Sequence, residues 1–249
     1  MYVPAYAYVG PFPLSTILLV VSLMAALAAA SRLDPSQRVV ELLGAIIIGA
    51  VFGDKAIYIA SDPGYYIQQP SHLIFTPIST WGVMGLVIGG LIGLGWAYRN
   101  HRGQWSRGDL DIVGLALVIM LVIRGPGQNL LGVKIPSLLA TLAVKFGGTA
   151  QFPSYALWTL MLLVVGGAGV LLYRRFHQSH PGVTAGLLTL GIALAWLVTS
   201  LTLPQPTVPF TVAQWVALIG AAVGFRLSTP TATFQGQHHS QDNDSGPQS

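Results

Sequence analysis

The sequence predicts an all-α membrane protein of about seven transmembrane helices, with its N-terminus outside and its C-terminus in the cytoplasm. Three observations predict it. Of 249 residues, 53% are hydrophobic and only 8% are charged, whereas a soluble domain carries roughly 25% charged residues. Apolar stretches recur at about 20 residues, the length a helix needs to cross a hydrocarbon core of about 30 Å. Basic residues gather in alternate connections between those stretches, as they do in polytopic membrane proteins.

The spans read as Phe12 to Ala30, Val39 to Ala60, Ser79 to Tyr98, Leu110 to Ile123, Pro153 to Tyr173, Val183 to Leu203 and Phe210 to Phe225. The first ends in small residues, Ala28-Ala29-Ala30-Ser31, and so imitates a cleaved leader. No Lys or Arg precedes it, so it reads as a first membrane helix. The fourth is short and runs into Arg124-Gly-Pro-Gly-Gln-Asn-Leu-Leu-Gly132, where two glycines and a proline should break the helix. Broken backbone at membrane depth survives only where protein buries it or water reaches it. Glycines recur inside the spans (Gly44, Gly49 and Gly53; Gly82, Gly85, Gly89, Gly90, Gly93 and Gly95; Gly166, Gly167 and Gly169) and read as sites of tight helix packing.

Orientation comes from the connections. Arg32, Arg38, Arg99, Arg102, Arg107, Arg174, Arg175 and Arg226 fall on one side, and only Lys134 and Lys145 on the other. The richer side is expected to be cytoplasmic. Residues 1–228 then form one transmembrane domain, and 229–249 a polar, Gln- and Ser-rich disordered cytoplasmic tail. His238-His239 in that tail reads as solvated rather than as a metal site. The net charge of +4 is spread between spans and forms no basic stripe, which argues against a nucleic-acid partner. The chain has no cysteine, which excludes disulfides, thiol catalysis and thiolate metal sites. No cofactor motif is visible.

Ionisable groups at membrane depth are costly and therefore functional candidates. Arg124 ends an apolar helix and is followed by Gln128 and Asn129. A guanidinium with amide neighbours can grip a phosphodiester headgroup, or it can simply snorkel to the interface. Asp54 and Lys55 are adjacent on the second span, about 100° apart around a helix, so each is expected to find another partner; Tyr58, one turn on, could serve Asp54. His72 is a lone histidine in an outer loop. Trp81, Trp96, Trp105, Trp158 and Trp215 are expected near span ends, where interfacial aromatics belong.

Several stretches together resemble the prolipoprotein diacylglyceryl transferase family, bacterial inner-membrane enzymes that move diacylglyceryl from phosphatidylglycerol to a prolipoprotein cysteine. The resemblance rests on Gly89-Gly-Leu-Ile-Gly93 followed by Ala97-Tyr-Arg99, on Asp109-Leu110, and on Pro153-Ser154. It continues in Gly182-Val-Thr-Ala-Gly-Leu187 and Phe210-Thr-Val-Ala-Gln-Trp215. It implies a phosphatidylglycerol-like lipid partner and a lipid site of Arg124, Gln128, Asn129 and Lys55. The chain also departs from the pattern. Ile88 stands where the family has a histidine before the Gly-Gly pair, and Gly191-Ile-Ala-Leu-Ala-Trp196 is apolar where the family has a Tyr and Arg cluster. Thiol transfer needs a base and cationic donors for the phosphate leaving group. The expectation is therefore a degenerate, lipid-binding relative with reduced or no activity. The alternatives are a non-catalytic subunit of a larger membrane complex and a transporter; the sequence shows no inverted repeat of the kind common in transporters.

Overall fold

The computed structural model describes residues 7–10, 12–69, 80–102, 104–135, 141–204 and 212–229. The expectations for His72, for His238-His239 and for the tail beyond Thr229 lie outside them. The protein is mostly helical, and its long helices match the expected spans in order. They are α1 (Leu14–Leu33), α2 (Arg38–Ser61), α4 (Thr80–Asn100), α5 (Arg107–Arg124), α6 (Ser154–Phe176), α7 (Val183–Ser200) and α8 (Val212–Ser228), with a short α3 (Pro63–Gln68) after α2. Five of these, α1, α2, α5 with its following turn, α6 and α7, are long and apolar enough to cross a membrane among the described residues. Large apolar side chains stand exposed around the bundle, among them Met24, Phe52, Ile92, Val164, Leu171 and Ile219. That is the surface expected where lipid replaces water as solvent.

The fold is not purely helical. A two-residue antiparallel pair, β1 (Tyr8–Val9) with β2 (Phe12–Pro13), precedes α1, and a hairpin of β3 (Val144–Phe146) and β4 (Thr149–Gln151) lies between α5 and α6. Gly147 and Gly148 make its turn with φ of 55° and 81°, left-handed values that glycine adopts without a Cβ penalty. The fourth span starts at Arg107 rather than Leu110. Ser106 and Asp109 form a reciprocal capping box, which satisfies backbone N–H groups upstream of the apolar run. The break after Arg124 is present: the α-helix ends there and Gly125–Gly127 form a 3-10 turn.

α5 is the centre of the bundle, packed on α1, α6 and α7. Ile112 and Ala116 meet Ala26 and Ala30 of α1 and Val39 of α2, while Leu115 and Val118 meet Leu188 of α7. Trp158 and Leu162 of α6 pack with Ala195 of α7 in a third cluster. Trp158 is 5% exposed and meets Trp196 edge to face at 5.2 Å, so it is a core residue and not the interfacial aromatic expected. Trp96 and Trp215, by contrast, are mostly exposed.

The starts of the helices at the basic end are capped by carboxylates. Asp34, buried between α1 and α2, accepts from the Val39 N–H at 2.7 Å and from the Ser36 N–H at 2.9 Å. Burial alone would raise its pKa; hydrogen bonds from the Ser36 hydroxyl, Val39 and Ser36 backbones and the nearby Arg38 charge outweigh that and hold it below the usual carboxylate value. Asp111, with no solvent exposure, accepts from the Gly182 N–H at 2.9 Å and the Ala185 N–H at 2.7 Å, and so caps α7. His177, at the end of α6, stacks on Tyr173 and places Nδ1 3.5 Å from Asp111. Arg38 donates to the Gln104 carbonyl, and His101 meets Glu41 at 2.6 Å, tying α2 to the end of α4. One end of the bundle therefore collects the eight arginines of the richer side.

α2 and α4 run antiparallel with their backbones in contact. Gly49 and Gly53 face Gly89 and Gly85, and Gly93 faces Ala45; a Cβ on any of these glycines would overlap the facing carbonyl. Such approach allows many van der Waals and Cα–H···O contacts. Gly89→Ala should therefore lower the melting temperature in detergent, at a cost of about 1–3 kcal/mol for overpacking. Gly95→Ala, where nothing lies within 4 Å, should leave it unchanged or raise it slightly. Differential scanning fluorimetry of the two variants checks the contrast.

Candidate functional site

The end opposite the arginines is built from the close of α5 and the start of α6. Gly125 packs so tightly on Thr159 that a Cβ would strike its hydroxyl, and Gly127 lies against Ser15 and Leu18 of α1. The chain leaving Arg124 is thus threaded between α1 and α6, with no room for a side chain at Gly125 and little at Gly127. The Gln128 N–H donates to the Gly125 carbonyl at 3.1 Å, Tyr155 donates to the Leu130 carbonyl at 3.0 Å, and Gly132 to the Phe152 carbonyl at 2.8 Å. Ser154 and Thr202 hydroxyls meet at 2.7 Å, joining the start of α6 to the end of α7.

Arg124 is half-buried at this end. Among the described residues, no hydrogen bond, ion pair or ring contact joins its guanidinium to another residue. Its charge is favoured by the C-terminal dipole of α5, yet its five donors remain available for an anion. Gln128 follows one turn later and is half-buried, and Asn129 is exposed beside it. These three expected site residues are therefore neighbours along one short stretch.

Lys55 is placed differently. It lies seventeen residues beyond Arg38 on α2, as Arg124 lies seventeen beyond Arg107 on α5. At about 1.5 Å per residue both cations stand roughly 26 Å above the basic end, near the far boundary of a hydrocarbon core. Contrary to expectation, Lys55 pairs with its neighbour: Nζ is 3.0 Å from Asp54 Oδ2. The Cα vectors of adjacent residues diverge, but the flexible four-carbon stem of lysine reaches back across that angle. The ammonium also lies 5.5 Å from the Tyr58 ring centre, and Tyr58 in turn meets Tyr66 of α3 edge to face. Asp54 is 4% exposed, and its Oδ1 has no hydrogen-bond partner among the described residues. The charge of Lys55 is thus met by Asp54 within its own helix.

The positions that depart from the family pattern carry no titratable chemistry. Ile88 is 53% exposed on α4, and Trp196 is occupied against Trp158. Among the described residues no group of three or more His, Asp or Glu side chains could hold a metal ion. No protein-family model matches this chain, and no curated protein matches it. The likeness to the transferase family therefore rests on the quoted residues alone.

Sequence reasoning missed Asp111, whose partners lie more than 70 residues away, and the β3–β4 hairpin. The Gly147-Gly148 pair flanked by Val144-Lys-Phe and Thr-Ala-Gln151 was the available sign of that hairpin.

If the Asp54–Lys55 pair is structural, Lys55→Met leaves a buried carboxylate unpaired and should cost about 3–5 kcal/mol, while Asp54→Leu combined with Lys55→Met should recover most of that loss. Thermal melts of both variants check it. A stable Lys55→Met protein with weakened lipid retention would instead make Lys55 a ligand contact.

Proposed function

We propose that this chain is a multi-pass protein of a bacterial inner membrane, with seven spans, N-terminus out and arginine-rich end in the cytoplasm. It is a divergent relative of the prolipoprotein diacylglyceryl transferases that holds a phosphatidylglycerol-like phospholipid and has reduced or no transferase activity. The observation that carries this reading is Arg124: a half-buried cation at the outer end of a central apolar helix, with no partner among the described residues, and with Gln128 and Asn129 following it in the chain. A phosphodiester supplies both the charge and the bidentate acceptors that a guanidinium matches.

Loss of activity follows from the chemistry at the diverged positions. Proton removal from a thiol needs a base near neutrality, and Ile88 cannot provide one. Stabilising a departing phosphate needs preorganised cationic donors, and the loss of one donor costs about 3–4 kcal/mol; Trp196 carries no charge.

The protein purified into nanodiscs of mixed phosphatidylglycerol and phosphatidylcholine, then analysed by native mass spectrometry, tests this. The native protein should retain phosphatidylglycerol preferentially. Arg124→Gln should weaken that retention by about tenfold to a hundredfold, the worth of a charged hydrogen bond, with Arg124→Lys between the two. Equal retention by Arg124→Gln would make Arg124 a snorkelling residue only. Addition of a lipobox peptide should give no diacylglyceryl transfer at an ordinary enzymatic rate of about one per second or faster; such transfer would overturn the degenerate-site reading.

A further inference from the structure

We infer that the β3–β4 hairpin is a second lipid contact, a basic and aromatic platform that docks on anionic phospholipid at the outer surface of the membrane. The inference rests on the proposed orientation and extends the proposed lipid site. The platform has three strands' width. Val144 pairs with Gln151 and Phe146 with Thr149 across the hairpin, and Gln151 bridges to Lys134 on its other side. Ile135 donates to the Ala150 carbonyl and Phe152 to the Val133 carbonyl, so the platform is fixed to the segment that leaves Arg124.

Residues directly paired across strands share a face, and alternate residues along a strand do too. Lys134, Val144, Phe146 and Gln151 therefore belong to one face. Val144 is fully buried on Tyr155 and Leu130 at the top of the helices, so this face looks down on the bundle. Phe146 overhangs at the tip and is 40% exposed, with Leu142 at 57% nearby. An apolar overhang placed at the outer end of membrane helices meets headgroups and upper acyl chains. Lys134 is exposed on the same side, Lys145 is exposed on the opposite face, and residues 125–153 contain no acidic side chain. That unopposed charge is complementary to phosphatidylglycerol and indifferent to phosphatidylcholine. The platform thus gathers anionic lipid beside Arg124.

The absence of cysteine makes the test direct. A nitroxide on Leu142→Cys reports depth through its collisions with oxygen against a water-soluble nickel chelate. In phosphatidylglycerol-containing nanodiscs the label should sit at headgroup depth. Phosphatidylcholine-only discs should raise its exposure to the chelate, and Lys134→Gln should shift the docked-to-undocked ratio by about fivefold. A label that is equally water-exposed in both discs, or equally deep in both and insensitive to Lys134→Gln, would overturn the proposal. Adding Arg124→Gln separates the two sites: the label depth should persist even where lipid retention at Arg124 is lost.

Discussion

Asp111 fixes the geometry on which the rest of the molecule depends. A carboxylate with no solvent exposure is tolerable only when its lone pairs are satisfied, and here two backbone N–H groups at the start of α7 do so. The same interaction fills orphan donors of α7, since the first turn of any helix leaves its N–H groups without partners. His177 approaches from α6. One side chain thereby bonds α5 to α7 at the arginine-rich end, with the end of α6 packed against it. α5 is a rigid rod of 18 residues, so fixing its base against α6 and α7 also fixes where its other end, and Arg124, emerges.

The remainder of the bundle hangs on this unit by different means. α1 joins through small residues, with Ala26 and Ala30 lying on Ile112 and Ala116. α2 and α4 form a close pair through facing glycines, and α7 and α8 do likewise where Gly186 meets Gly224. In lipid there is little hydrophobic drive between helices, so close backbone approach and buried polar caps supply the association. The positions of Gly, Asp and Ser in this chain follow that division of labour.

The five helices long and apolar enough to cross a membrane were legible in the sequence because bilayer thickness imposes a length that composition alone reveals. Helix ends were less legible: Ser106 and Asp109 cap α5 from polar residues that an apolar-stretch reading excludes. Arg124 could be found because a charge ending an apolar helix is conspicuous. Asp111 could not, since its value lies in a contact made across 71 residues. Asp54 and Lys55 were misjudged by treating side chains as fixed spokes, which a lysine stem is not. Trp158 was misjudged because a tryptophan one turn inside a helix end can turn toward the core as readily as toward the interface. The Gly147-Gly148 hairpin was concealed by its shortness within a long connection whose many apolar residues show no regular alternation.

All functional consequences require that Arg124 and the hairpin face the outside while the capped, arginine-rich end faces the cytoplasm. Single cysteines at Lys145, exposed on the outward face of the hairpin, and at Ser179, in the exposed connection between α6 and α7, report this in intact bacterial cells treated with a membrane-impermeant maleimide. The account predicts labelling of Lys145→Cys in intact cells and of Ser179→Cys only after the inner membrane is opened. Labelling of Ser179→Cys in intact cells, with Lys145→Cys protected, would contradict it.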